Sequence, residues 1–508
     1  MKKTPLLQRR RSGILMPIFS LPSPYGIGTL GKSAYDFVDF LKKAGQSYWQ
    51  ILPLGPTTFG DSPYQAYSTF AGNPYFIDLE TLCKDGYLTK AECDAIDFGK
   101  DPTDIDYEKL YQGRLKLMRI AQTRFFANIP ADYDEFCKKN AFWLKDYALF
   151  MAIKYENKGA SFDRWEEGLR LRKRADMMKA SRRLKSEIDL WKMQQYLFFK
   201  QWTALKAYAN ENGISIIGDL PIYVACDSAD VWASPDQFVL DENCKPTQVA
   251  GCPPDAFTAD GQLWGNPLYR WDKMKEDGYA WWCRRMKAAS TLYDVVRLDH
   301  FRGFEAYYTI PAGRKNARRG KWQKGPGMEL FETFRKKIGD IPIIAEDLGF
   351  LTPAVHQMLA DSGYPGMKVA QFAFDNPAYE SEYLPHTYPK NCVAYAGTHD
   401  NETIIGWLDN AKEATVKHAT AYFRLTEKEG RAWGVIRGMM ASTANTVIFQ
   451  IQDFIGLGNE ARINEPSTLG KNWRWRIRPE CINDWLAELI FKSTKTYYRT
   501  PNEIKNEN

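Results

Sequence analysis

One rhythm constrains this chain more than any other feature. Short apolar runs of strand length alternate with helical stretches, and acids stand where several of the runs stop. The runs are SYWQILPL (47–54), NPYFIDL (73–79), GISIIGDL (213–220), YDVVRLD (293–299), IPIIAEDL (341–348), MKVAQFAFD (367–375), CVAYAGTHD (392–400) and NTVIFQIQD (445–453). Continuous apolar runs of this length suit parallel strands buried on both faces. Helical patterns lie between them, at 33–45, 201–213 and 328–340; the last two finish at glycine or Gly-Asp, a common helix terminus. Strand and helix repeated to a count of eight predicts an α/β fold, a (β/α)₈ TIM barrel with helical insertions between barrel strands and no separate C-terminal β-sandwich domain. A length of 508 residues accommodates such a barrel.

The acids sharpen this reading. Asp219, Asp299, Glu346, Asp375 and Asp400 each close an apolar run. A single acid there is usually a helix cap or a surface group. Five on successive strands would point into one mouth, because barrel active sites gather at the C-terminal ends of the strands.

Between 83 and 200 the rhythm breaks. The segment is rich in Lys, Glu, Trp and Phe at helical spacing and shows no convincing strand. The expected organisation is therefore a first part of the barrel over 1–82, a helical insertion over 83–200, and the remainder of the barrel over 201–508. Aromatic residues make up 14% of the chain, a surplus that fits both core filling and flat apolar ligand faces such as sugar rings. A net charge of +6 is modest for this size. Of the basic runs RLRKR (170–174) and RKNARRGK (314–321), the first has Glu and Asp close by and reads as the solvated face of helices; nucleic acid is not an expected partner. The nine cysteines carry no C-x-x-C and no paired histidine spacing, so reduced thiols in a cytoplasmic protein are expected, with no metal site and no cofactor. Pro5 and three arginines interrupt the N-terminus before a signal-peptide core can form, and no apolar run is long enough to span a membrane.

GIGTLGKS (26–33) matches the phosphate-loop pattern and also contains G-x-G-x-x-G. Phosphate binding needs a buried strand running into the first glycine. Here SLPSPY precedes it, and Pro22 and Pro24 break any ladder. The expected role is a glycine-rich turn capping the first helix; a nucleotide-binding protein built on Gly26–Ser33 is the alternative of another class.

What remains at the strand ends is carboxylate chemistry. Two carboxylates can split a glycosidic bond, one attacking the anomeric carbon or activating water and the other protonating the leaving oxygen. Arg297 lies two residues before Asp299 and so faces the same side of its strand. A cation there would hold Asp299 ionised, while Glu346, following Ile-Ile-Ala, would be less solvated and suited to an acid's role. His300 faces the opposite side of an ideal strand, so contact with a substrate requires the strand to end first.

Longer motifs carry a resemblance. SGILMPIFSLPSPYGIGTLG, DSPYQAYSTFAGNPYFIDL (61–79), IIGDLPIYV (216–224), GCPPDAFTADGQLWGNPLY (251–269), VVRLDHFRGF, IIAEDLG, GTHDNET (397–403) and RINEPSTLGKNWRWR (462–476) together resemble the amylomaltases, the 4-α-glucanotransferases of glycoside hydrolase family 77 in the α-amylase superfamily. The 251–269 match is the most specific. The resemblance implies transfer of α-1,4-glucan segments between maltooligosaccharide donors and acceptors through a covalent glycosyl-aspartate. It implies Asp299 as nucleophile, Glu346 as acid/base and Asp400 as the residue that holds sugar hydroxyls and distorts the ring. It implies a substrate-binding set of Arg297, His399, Asp219, Tyr64, Trp264, Asp255, Asp375 and Asn464. Tyr64 and Trp264 are the expected sugar-stacking faces, and 251–267 the loop over the acceptor side, with Phe257 left between core and ligand. Two departures stand out: LPIYV replaces the superfamily's usual histidine after Asp219, and Lys471 precedes Asn-Trp where glycine is expected. The competing enzymatic reading is an α-amylase-type retaining hydrolase.

Overall fold

The computed structural model describes residues 7–58, 60–254, 259–349, 351–375 and 380–501. Asp255 and Phe257 lie outside them.

Eight parallel strands form one sheet that curls into a barrel: Arg11–Leu15, Tyr48–Gln50, Ser215–Leu220, Val295–Leu298, Ile343–Ala345, Gly366–Val369, Cys392–Tyr395 and Thr446–Gln450. They are called strands one to eight below. Strand one pairs with both strand two and strand eight, and ladders join seven of the eight junctions. The eighth, between strands five and six, has no ladder among the described residues. It closes through the Ala345 N–H donating to Pro365 O at 2.9 Å and the Met367 N–H donating to the Asp347 carboxylate at 2.6 Å.

Side chains alternate along each strand, as the two-residue strand period requires. Leu15, Tyr48, Ile217, Val295, Ile344, Met367, Val393 and Ile448 pack together inside the barrel. Their neighbours Ile14, Trp49, Ile216, Val296, Ile343, Ala394 and Val447 pack outward in the larger core shared with the helices. Continuing along the inward row two residues at a time leads from Ile217 to Asp219, from Val295 to Arg297 and then Asp299, and from Ile344 to Glu346. The barrel's own pleat thus aims these groups at the mouth.

The expected count of eight strands holds, but one member changes. NPYFIDL is not a strand: Pro74–Phe76 forms a 3₁₀ turn capped by the Asn73 side chain, and Asp78 caps the helix Leu79–Lys84. Proline at the first turn and two capping side chains outweigh an apolar run that could equally well be buried as a turn. The missing strand is Arg11–Leu15, hidden in the sequence by its arginines and Gly13. Gly13 is needed for close approach, since a Cβ there would lie 2.5 Å from Tyr48 Cβ and 2.8 Å from Ile448 Cδ1.

Strands two and three are connected through a set of helices ending in Lys185–Glu211, which passes through position 200 without interruption and delivers the chain to strand three. Insertion and barrel residues belong to one continuous hydrophobic cluster. The 251–267 segment, expected as a loop, contributes to a second sheet. Antiparallel strands Gln262–Pro267, Gln248–Cys252, Ala306–Pro311 and Lys321–Lys324 lie in that order beside the mouth. No described helix is long and apolar enough to cross a membrane.

The glycine-rich turn carries no phosphate-loop geometry. The anionic group against it is the protein's own: Asp78 accepts from Thr29 Oγ1 at 2.8 Å, and its carboxylate crowds Gly31 so closely that a Cβ there would meet it at 2.2 Å. Lys32 turns outward to Asp36.

Candidate active site

The mouth is organised around one buried cation. Arg297, 4% exposed, donates from one guanidinium nitrogen to Asp219 Oδ2 at 2.6 Å and to Asp299 Oδ1 at 3.2 Å. Its Nε–H points at the sulfur of Met367, 3.4 Å away. The sequence suggested Arg297 as the partner of Asp299; the shorter contact goes to Asp219.

Strand four ends at Leu298, and His300 adopts the left-handed conformation with φ of 53°. The break turns His300 away from its ideal-strand direction. The Asp299 N–H donates to Leu220 O, tying the turn to strand three, and the Phe301 N–H donates to Glu346 O, tying it to strand five. Glu346 is held more directly. Its two carboxylate oxygens accept the His300 N–H at 2.7 Å and the Leu348 N–H at 2.8 Å.

Burial raises the carboxyls of both Asp299 and Glu346. Arg297 opposes this for each, and Glu346 has the added help of its two N–H donors. The negative charges of Asp219 and Glu346 push Asp299 up further. One cation serves the buried Asp219 and the half-buried Asp299 and Glu346 together, so the Asp299–Glu346 pair keeps a proton more readily than exposed carboxyls do. For Arg297 itself, burial would favour the neutral form, but Asp219, Tyr64, Asp299 and Glu346 more than reverse it and keep it charged.

On the other side, Tyr64 O–H donates to Asp219 Oδ2 at 2.6 Å, and its oxygen lies 2.9 Å from His399 Nε2. Because the tyrosine proton is committed to the carboxylate, the phenol oxygen accepts, and the His399 proton belongs on Nε2. The same nitrogen lies 3.4 Å from Asp400 Oδ1. Burial keeps His399 neutral, with Asp400 partly opposing. Asn464 donates to Asp400 Oδ1 at 2.6 Å, and Arg462 donates to the Asp400 carbonyl at 2.7 Å. The Tyr64 ring stacks on His399 with centroids 5.3 Å apart, and both approach Trp473.

Trp264 reaches the same centre from the second sheet. Its ring meets His300 edge to face at 4.8 Å, with the indole N–H fixed on Gln262. Two buried polar atoms, Asp219 Oδ1 and His300 Nε2, have no hydrogen-bond partner among the described residues. Burial pushes His300 down to about 3, so this imidazole is neutral. Unpartnered buried polar atoms are costly unless a ligand completes them.

The structure therefore joins Asp219, Arg297, Asp299, Glu346, Tyr64, His399, Asp400 and Asn464 in one network, with Trp264 against its His300 corner. Asp375 is not part of it. The run 367–375 leaves the barrel at Val369 and continues as the 3₁₀ turn Ala370–Ala373. Asp375 then accepts from Thr415 on the helix Glu413–Phe423 and is exposed. Sequence reasoning passed over Trp473 and Met367; an aromatic in a motif-rich segment and a methionine on an inward row were the available signals.

The family model of the 4-alpha-glucanotransferases matches residues 16–482. A 4-alpha-glucanotransferase from Clostridium butyricum is 50% identical over 487 residues, covering 95% of this chain and 100% of that protein. One from Thermus thermophilus is 46% identical, covering 92% and 95%. The structure of an amylomaltase from Streptococcus agalactiae in complex with acarbose superposes with a TM-score of 0.95 at 41% identity, covering 97% of this chain and all of that one. The chain belongs to the 4-alpha-glucanotransferases of glycoside hydrolase family 77.

Proposed function

We propose that this 4-α-glucanotransferase works by a retaining double displacement in which Asp299 is the nucleophile and Glu346 the acid/base. The observation that carries the assignment is the linkage of two inward-facing carboxyls on adjacent strands: Asp299 is held by Arg297, and the N–H of the next residue, His300, binds Glu346. With the pair holding one proton, Glu346 gives it to the glycosidic oxygen while the Asp299 carboxylate attacks the anomeric carbon. The bond to the leaving glucan breaks and a β-glycosyl aspartate forms. Glu346, now ionised, takes the proton of an incoming 4-hydroxyl, which displaces Asp299 and restores the α configuration.

The other residues serve binding. Asp400, aligned by Asn464 and His399, accepts from hydroxyls of the sugar at the cleaved bond. Trp264 and the free face of Tyr64 stack on sugar rings, Trp264 on the acceptor side. Asp255 belongs to the same acceptor segment by sequence, and Asp375 to an outer binding position. The partners are α-1,4-glucan donors and acceptors, and the nine thiol cysteines fit a cytoplasmic setting.

Transfer and hydrolysis share the intermediate, and they separate on maltotriose. A transferase yields glucose and longer oligosaccharides at a constant number of reducing ends. Reducing ends rising in step with turnover would mean that water is the acceptor and the enzyme a hydrolase.

A further inference from the structure

Seven barrel junctions are ladders; the one between strands five and six has a single backbone bond, Ala345 N–H to Pro365 O, and is completed by a side chain. Asp347, 4% exposed, follows Glu346 directly. Its Oδ1 accepts the N–H of Met367, where a backbone carbonyl of a neighbouring strand would otherwise sit. Its carboxylate also crowds Gly366. A Cβ on Gly366 would lie 2.6–2.8 Å from the carboxylate atoms, so the position tolerates only glycine while Asp347 stays in place. Each side of this clasp leads to the catalytic network. On one side is Glu346 itself, whose N–H is already bound to Leu298 O of strand four. On the other is Met367, whose sulfur meets the Arg297 Nε–H at 3.4 Å.

We propose that Asp347 is a positioning residue for the transfer reaction, clasping the open barrel junction so that Glu346 and the Met367–Arg297 contact hold their alignment around Asp299. This rests on the catalytic roles given above. The carboxylate replaces a ladder bond where strand five is only three residues long, and the chain must leave the barrel for the loop that binds Glu346 through Leu348. A backbone carbonyl could satisfy Met367 but could not also follow Glu346 by one residue into the mouth. Small misalignments of a general acid carry large rate penalties, so the effect belongs in kcat. At 4% exposure Asp347 offers no surface to a substrate, so KM should be insensitive to it.

The test is steady-state transfer from maltotriose, with Asp347→Ala, Asp347→Asn, Gly366→Ala and Glu346→Gln compared, folding being checked by circular dichroism. Asp347→Ala should lower kcat at least about tenfold with KM within about threefold. Asp347→Asn keeps an oxygen for the Met367 N–H and should recover kcat to within about threefold. Gly366→Ala presses on the carboxylate from the far side and should reproduce the loss; it carries the test if Asp347→Ala does not fold. Wild-type kcat in Asp347→Ala and Gly366→Ala, a matching rise in KM, or failure of Asp347→Asn to fold or to recover activity would each overturn the proposal. Glu346→Gln separates this from the underlying assignment. Full activity there would remove the acid/base role itself, whereas an inactive Glu346→Gln beside a fully active Asp347→Ala would remove only the clasp.

Discussion

A carboxyl group stripped of water keeps its proton unless a cation or N–H donors take the water's place, and the barrel mouth distributes these unevenly. Asp299 has a share of Arg297; Glu346 has a weaker share but two N–H donors. Burial raises both above the ordinary carboxylate range. A working pair needs one proton, so activity is lost at low pH when both groups are protonated and at high pH when neither is. Because both are raised, the acid limb of kcat/KM should lie above the value of about 4 typical of exposed carboxyls. A profile measured on maltotriose with a limb at or below that value would contradict the burial argument. Asp299→Asn and Glu346→Gln should each lower kcat by roughly a thousandfold or more while leaving the far-ultraviolet circular dichroism unchanged, as expected when a reacting group and not the fold is removed. Full activity in either would refute the assignment of that residue.

At the scale of elements, the loop that delivers His399 and Asp400 is held from behind. It runs into the helix Ile404–Asn410, capped by Thr403, and the Ile404 N–H donates to Asp453 at 2.7 Å. Asp453, in the turn of helix that follows strand eight, is buried, has no cation against it among the described residues, and is raised by burial to about 7. A folded-state pKa above the unfolded value of about 4 means that protonation favours the fold; the stability is fully present below about pH 4 and lost as pH rises through 7. Asp453→Asn keeps the acceptor and removes the charge, so it should stabilise the protein at pH 8 by up to about 3–4 kcal/mol and have little effect at pH 4. Denaturant titrations at the two pH values measure this, and equal effects at both would refute it. The same elements show what a sequence can and cannot convey. Asp219, Arg297, Asp299 and Glu346 were legible because the strand period alone orders an inward row. Asp375 lies off the inward row because an apolar run does not announce where it leaves the barrel, and AQFA curls into a 3₁₀ turn. NPYFIDL and RSGIL exchanged roles because hydrophobicity does not distinguish a buried turn from a buried strand, whereas Pro74, the Asn73 cap and the tight contact at Gly13 do. The second sheet beside the mouth depends on pairing between strands distant in sequence, which no local pattern encodes.

Over the whole molecule, a barrel must join its first strand to its last, and here two arginines complete the joint. The helix Arg431–Ala441 leads toward strand eight and leaves C-terminal carbonyls unpaired, as every helix does. Arg10, just before strand one, donates to Ser442 O at 2.8 Å and Met440 O at 3.0 Å. Arg499, after the last helix Asp484–Thr496, is fully buried and donates to Met440 O, Ser442 O, Asn445 O and Arg11 O. One guanidinium thus bonds the chain's C-terminal end, strand one and the entry to strand eight, using the fixed fork that lysine lacks. Burial lowers Arg499 to about 9, and Arg10 nearby acts in the same direction; the four carbonyl dipoles it faces favour its charged form. Arg499→Ala would leave several of these acceptors buried without a donor, at a cost of about 2–5 kcal/mol. Arg499→Lys supplies three donors on a flexible stem and should recover only part of that loss. None of the four carbonyls touches the mouth network, so kcat and KM of the folded fraction at 25 °C should match the wild type. The denaturation midpoint should fall in the order wild type, Arg499→Lys, Arg499→Ala. An unchanged midpoint in Arg499→Ala would show that the joint is held by strand pairing alone.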